Sequence, residues 1–159
     1  MPLAGGTCSS PQARIELAAL RAGDIFAGRH SPRGMLAGLY LYFSCMDEAH
    51  EVAQALNTPE GCFWHGVLHR QEPDPGNAAY WFRRAGAHPV YPKLRQAAVS
   101  LVGELWRVPP AWDPFQFIEV CEQARVQPGS DLEIAARAVQ RAEWQLLFDY
   151  CARRETTSA

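Results

Sequence analysis

The sequence lacks several features that would place it in a specialised class of protein. No apolar run approaches the roughly 18 residues that a transmembrane helix needs, and residues 1–6 show neither region of a signal peptide. Lysine is nearly absent, since Lys93 is the only one among 15 basic residues. The formal net charge of −2 leaves no basic excess for nucleic acid. We therefore expect a protein that contacts neither nucleic acid nor a membrane.

The cysteines also lack a C-x-x-C pair, and their number, five, is odd. Such a pattern is typical of a reducing compartment and argues against both a disulfide framework and a cysteine-type zinc site. Together with the missing signal peptide, it predicts a cytoplasmic protein. The 159 residues are enough for one domain with a hydrophobic core.

Residues that cap helix N-termini stand directly before proline at five places in the chain. A side-chain oxygen at the cap accepts a hydrogen bond from a free N–H of the first turn, and proline at the first helical position has no N–H to lose. Ser130 adds a sixth start, because Glu133 follows it in a capping box. These signals predict helix starts at Ser10–Pro11, Ser31–Pro32, Thr58–Pro59, Asp74–Pro75, Asp113–Pro114 and Ser130.

The apolar residues between these starts follow a helical period, and no segment alternates long enough to predict a strand. One apolar stripe runs from Met35 to Leu56 and predicts a single helix there. We predict an all-α protein, a compact bundle of about six or seven helices with a central helical hairpin. Residues 10–154 are expected to form one domain, with residues 1–9 and 155–159 disordered at its ends.

The segment 61–92 carries more functional side chains than the rest of the chain. It contains three of the five histidines, two of the five tryptophans and two of the five tyrosines. The caps Thr58 and Asp74 predict two helices separated near Pro73, and Gly86 is suited to end the second one. The segment therefore predicts a helical hairpin, and we expect any binding site to lie on it.

The hairpin predicts a pocket between its two helices. His65 and His69 are four residues apart and share one face of the first helix, as Tyr80 and Arg84 do on the second. We expect these four side chains to converge on one cavity, with carboxylates from the connecting loop at its rim. The candidate ligand-binding residues are His65, His69, Glu72, Asp74, Asn77, Tyr80, Arg84 and His88.

A histidine pair with this spacing can hold a divalent metal ion if a third ligand comes from elsewhere. Residue 66 is glycine, so the H-E-x-x-H motif of metalloproteases is absent. We predict His65 and His69 as metal ligands, with His50 as the third. The other candidates for the third position are Glu72, Asp74 and His88.

Three alternatives remain open for the same segment. The two histidines could be hydrogen-bonded structural residues at the edge of the core. Cys62 and His65 lie one turn apart and could form a nucleophilic cysteine–histidine pair. Without a metal, Asn77, Tyr80 and Arg84 would form a hydrogen-bonding stripe for an organic anion.

Two resemblances concern this hairpin. Residues 74–86, with the run Tyr80-Trp-Phe-Arg-Arg84, resemble the second helix of a Sel1-type tetratricopeptide hairpin, although nothing about 34 to 40 residues away repeats the pattern. The motif W-H-x3-H-R-x-E-P-D-x2-N-A-x-Y-W-F-R-R-x-G-x-H-P, from Trp64 to Pro89, resembles an uncharacterised family of microbial proteins. This second resemblance implies a site on the hairpin without implying a reaction.

Two classes of function follow from these patterns. The first is a small-molecule site on the 61–92 hairpin, for an organic anion or a metal ion, in a protein that binds or transforms its ligand. The second is an α-helical interaction module without catalytic activity, whose Trp, Tyr and Arg side chains dock a protein partner. The histidines favour the first class, because docking a partner does not require them.

Overall fold

A computed structural model describes residues 1–155, and within them the chain forms nine helices. The predicted all-α fold is confirmed, but the predicted number of helices is too low. The only β pairing among the described residues is an isolated bridge between Arg29 and Arg154. None of these helices is both long enough and apolar enough to span a bilayer. The helices are α1 Pro11–Ala18, α2 Ala22–Ile25, α3 Pro32–Tyr42, α4 Met46–Gln54, α5 Pro59–Gln71, α6 Pro75–Ala85, α7 Tyr91–Val102, α8 Pro114–Arg125 and α9 Asp131–Ala152.

The six helix starts predicted from caps all occur in the structure. In five of them the side-chain oxygen accepts from a backbone N–H of the first turn, and Ser31 is the exception. These starts are correct because capping is a local interaction between residues two or three apart. Gly86 ends α6 with a φ of +68°, as its position suggested.

The predicted single helix over residues 35–56 is wrong, because the chain turns between α3 and α4. Ser44 adopts a φ of +56°, which a right-handed helix cannot contain, and the Cys45 N–H donates to the Tyr40 carbonyl. Both helices face the same core, so the apolar spacing continues across the turn and hides it. The short helix α2 was also missed, since no side chain caps its start.

Helix α5 is the central element of the fold. Every residue from Glu60 to Gln71 is buried, and α5 packs against α3, α4 and α6. Glycine allows two of these close approaches: a Cβ at Gly66 would lie 2.9 Å from the Phe82 ring, and one at Gly38 would lie 2.9 Å from the Trp64 ring. A second apolar cluster is formed mainly by α7, α8 and α9.

The N-terminal segment, for which the sequence predicts disorder, contacts the folded domain. Leu3 is buried, and its carbonyl accepts from Arg125 Nη2 at 2.9 Å. The Gly5 N–H donates to the Gln71 carbonyl at the end of α5 at 2.6 Å. At the other end, the predicted disorder of residues 155–159 falls almost entirely outside the described residues, which end at 155.

A disulfide joins Cys8 to Cys45, a pairing that the cysteine pattern did not predict. The two cysteines are 37 positions apart in sequence, and their spacing carries no pairing signal. The bond ties the N-terminal segment to the turn before α4 and removes the cysteine-based argument for a reducing compartment. The remaining cysteines, Cys62, Cys121 and Cys151, are free and buried.

Candidate functional site

Three histidines meet between α4 and α5. His65 and His69 lie one turn apart on α5 with their rings stacked at 4.8 Å, and His50 approaches from α4. The His50 ring packs edge-on against both of them, with centroid distances of 4.6 Å to His65 and 5.5 Å to His69. One nitrogen from each ring lies within 4.8 Å of the other two. These three residues are the predicted metal ligands, and we call them the three-histidine cluster.

His65 is the deepest member of this cluster. Its side chain stacks on Trp81 of α6 at 3.8 Å, and only 1% of the residue is exposed. Among residues 1–155, neither ring nitrogen of His65 has a hydrogen-bond partner. Burial, assisted by the nearby His50 and His69, lowers the pKa of His65 to about 3. The imidazole is therefore neutral at physiological pH, with a lone pair that can act as a ligand.

His69 is held by a carboxylate on its outer side. Its Nδ1 lies 3.0 Å from Glu72 Oε2, a distance suited to an ion pair, although the angle falls short of a regular hydrogen bond. Burial lowers the pKa of His69, and the negative charge of Glu72 partly opposes that shift. A carboxylate at one ring nitrogen is the usual neighbour of a histidine whose other nitrogen binds a metal.

The cluster reaches the surface at His50, which is half-buried. A shallow depression of about 440 Å³ lies beside it, and α4 supplies its walls. Two carboxylates stand in this depression, at Asp47 and Glu51. A small molecule could therefore approach the exposed side of the cluster without any movement of the buried helix α5.

The predicted residues on α6 make contacts of their own on the exposed face of that helix. Arg84 Nη1 donates to the Tyr80 hydroxyl at 3.2 Å, and the guanidinium lies 5.3 Å from the Trp81 ring centre. Asn77 donates from Nδ2 to Asp74 at 2.7 Å, and Asp74 caps the helix through the Asn77 N–H. Trp81 is thus the side chain that contacts both Arg84 and the three-histidine cluster.

His88 lies in a separate buried group. Its Nε2 is 4.0 Å from Glu60 Oε1, and the same carboxylate oxygen lies 3.0 Å from His30 Nε2. Burial lowers the pKa of His88 to about 4. The sequence does not predict the partnership with Glu60, because His30 and His88 come to this carboxylate from distant parts of the chain.

A large cavity lies between α6, α7 and the segment that leads into α8, outside the predicted pocket. Its volume is about 790 Å³, and its surface is mostly apolar. The lining residues are Phe82, Arg83, Gly86, Ala87, Tyr91, Pro92, Arg95, Gln96, Pro110, Ala111, Trp112, Pro114 and Phe115.

Comparisons with protein-family models, curated proteins and solved structures find no match, so both resemblances of the hairpin stay predictions.

Proposed function

We propose that this protein binds one divalent transition-metal ion, with Zn²⁺ as the best fit, through His50, His65 and His69. The observation that carries the proposal is the convergence of three imidazole nitrogens within 4.8 Å of one another. Imidazole is a preferred ligand of zinc, copper and nickel, whereas magnesium and calcium prefer oxygen.

The protonation states support the same conclusion. A metal ligand must be neutral imidazole, and two of the three histidines have a lowered pKa because they are buried. Two charged imidazolium groups at these distances would repel each other. Without a ligand, the buried nitrogens of His65 would also have no partner, which costs free energy.

The geometry requires a small closing movement. Tetrahedral zinc with Zn–N bonds of about 2.0–2.1 Å places its ligand nitrogens about 3.4 Å apart, closer than the 4.8 Å limit of the cluster. His65 is held by the stack on Trp81 and His69 by Glu72, whereas half-buried His50 has room to change its side-chain torsion. His50 is therefore the ligand that we expect to move.

Three histidines leave the fourth coordination position for water or substrate, as in catalytic zinc sites. His50, His65 and His69 would hold the ion, and Asp47 and Glu51, which stand in the depression beside His50, would be available there as proton acceptors. The chemistry that such a centre supplies is activation of water for metal-assisted hydrolysis or hydration.

Elemental analysis of the purified protein tests the proposal. After dialysis against zinc, we expect one equivalent of metal in the unaltered protein and none in His50→Ala, whose half-buried side chain is the least needed for folding. His30→Ala is the matched control, because His30 pairs with Glu60 outside the cluster, and it should keep its metal. Less than a tenth of an equivalent in the folded, unaltered protein would rule out the metal site and leave two alternatives, an organic-anion site on Asn77, Tyr80 and Arg84 or an α-helical interaction module.

A further inference from the structure

The cavity between α6, α7 and the segment before α8 has the size and surface of a ligand-binding pocket. Its volume of about 790 Å³ lies within the range of small-molecule sites. Aromatic rings form much of its wall. Trp112, one of them, is fixed from behind by Phe117 at 5.2 Å and by Trp106 at 5.8 Å. A wall held in this way keeps its shape whether or not a ligand is present.

The charged residues that line the cavity are both arginines, Arg83 and Arg95, and no acidic residue is among the lining residues in the described chain. Neither arginine forms an ion pair within residues 1–155. The closest acidic neighbour in sequence, Asp113, is occupied as the cap of α8, where it accepts from the Phe115 and Gln116 N–H groups. The cavity therefore offers positive charge against an apolar wall.

Arg95 is positioned rather than free to move. Its Nε donates to the Pro109 carbonyl at 2.7 Å, which fixes the plane of the guanidinium and leaves the two terminal nitrogens for another acceptor. A planar guanidinium with two parallel N–H groups matches a carboxylate in a bidentate pair. Arg83, in contrast, is exposed and lies over the Phe115 ring at 5.6 Å, at the mouth of the cavity.

Two further lining residues carry buried polar atoms without a partner among residues 1–155. These atoms are the Tyr91 hydroxyl oxygen and Trp112 Nε1. Burial raises the pKa of the Tyr91 hydroxyl well above its usual range, so this hydroxyl keeps its proton. The indole N–H can only donate, and the hydroxyl can donate as well. Both atoms are fully buried and offer no surface to a ligand, so the binding of a carboxylate rests on Arg95.

We propose that this cavity binds an organic carboxylate with an apolar body, such as an aromatic or medium-chain carboxylic acid. Arg95 binds the carboxylate, and Phe82, Trp112 and Phe115 hold the apolar part. This site is separate from the three-histidine cluster and does not require a metal, so the two proposals stand or fall independently.

Titration calorimetry with naphthoate and its neutral analogue naphthamide, both in the presence of a chelator, tests this proposal. We expect naphthoate to bind with one-to-one stoichiometry and about tenfold or more tightly than naphthamide. Arg95→Gln should remove this preference. Arg107→Gln, an exposed position that does not line the cavity, is the matched control and should leave it unchanged.

A filling substitution shows where the ligand binds. Ala111 is exposed and lines the cavity, so Ala111→Trp should block naphthoate while the circular dichroism and melting temperature stay close to those of the unaltered protein. Equal affinity for naphthoate and naphthamide, equal effects of the Arg95 and Arg107 substitutions, or undiminished binding by Ala111→Trp would each overturn the proposal. So would the absence of naphthoate binding at millimolar concentration.

Discussion

Arg70 and Glu143 form an ion pair in which neither side chain has any exposed surface. The pair joins the central helix α5 to α9. Arg70 also donates from Nε to Gln140 at 3.2 Å and lies 4.5 Å from the centre of the Phe117 ring. A buried charge with a partner on each nitrogen is tolerated, but one without its partner is expensive.

Removal of one charge from this pair should therefore destabilise the protein strongly. We expect Glu143→Ala to lower the free energy of unfolding by about 3–5 kcal/mol, because it leaves a buried guanidinium without its counter-charge. Urea unfolding followed by circular dichroism measures this change in the free energy of unfolding. Arg14→Ala is the control: it breaks an exposed pair with Glu48 and should cost about 1 kcal/mol or less. The double substitution Arg70→Met with Glu143→Leu should recover most of the loss. If Glu143→Ala and Arg14→Ala lowered the free energy of unfolding equally, the buried pair would be no more important for stability than the exposed one.

Glu72 should tune the affinity of the three-histidine cluster for metal, since its carboxylate lies at 3.0 Å from Nδ1 of His69. Glu72→Gln is expected to weaken zinc binding about 10- to 100-fold, the usual cost of losing the carboxylate behind a ligating histidine. Competition with a chromogenic chelator gives the affinity. Glu119→Gln, an exposed position on α8, is the matched control and should have no effect. A Glu72 variant that binds zinc as tightly as the control would show that this carboxylate does not support the site.

Acid should destabilise the metal-free protein well before its carboxylates titrate. Burial lowers the pKa of His65 to about 3 and that of His88 to about 4, from an ordinary value of 6.5. Both imidazoles thus stay neutral in the folded protein while they take up protons in the unfolded chain. Their contribution to the free energy of unfolding is fully present above about pH 6.5. It is lost as the pH falls from there toward the pKa of the folded state. For each histidine, lowering the pH from about 7 to about 5 should reduce the free energy of unfolding by about 2 kcal/mol.

Substitution of His88 isolates one of these two contributions. His88 packs against the rings of Phe63 at 5.0 Å and Tyr150 at 4.7 Å, so phenylalanine is a fair replacement for its shape. His88→Phe should reduce the difference in unfolding free energy between the two pH values by about 2 kcal/mol. The measurement is urea unfolding at both pH values with a chelator present. An unchanged difference would mean that His88 is protonated equally in the folded and unfolded states.

The disulfide can be checked by counting thiols. In denaturant without a reductant, the three cysteines that are free in the structure should react with a thiol reagent, and all five should react after reduction. Because the bond closes a loop between positions 37 apart, Cys8→Ser should lower the free energy of unfolding by about 2–4 kcal/mol. Cys62→Ser, at a free cysteine, has no effect on this loop and serves as the control for thiol counting. Five reactive thiols before reduction would exclude the bond.

The outcome at the candidate site differs from residue to residue for physical reasons. His65 and His69 share a helical face by their spacing alone, so their pairing was predictable. The contact between Tyr80 and Arg84 follows from the same four-residue spacing on a helix. That spacing does not say which face of α6 packs against α5. His88 follows the helical period of neither hairpin helix, and its burial beside Glu60 depends on contacts with α9.

The sequence by itself determined the local structure of this protein: six helix starts, the end of α6 at Gly86 and the adjacent positions of His65 and His69. Each of these depends on residues a few positions apart, whose interactions are the same in any helix. Only the tertiary structure decided that Arg70 meets Glu143, that Cys8 meets Cys45 and that His50, among the four candidates that the sequence offered, completes the histidine cluster. These contacts depend on how each helix is rotated and docked, and that is set by the packing of the whole core and by the turn at Ser44 rather than by any local pattern.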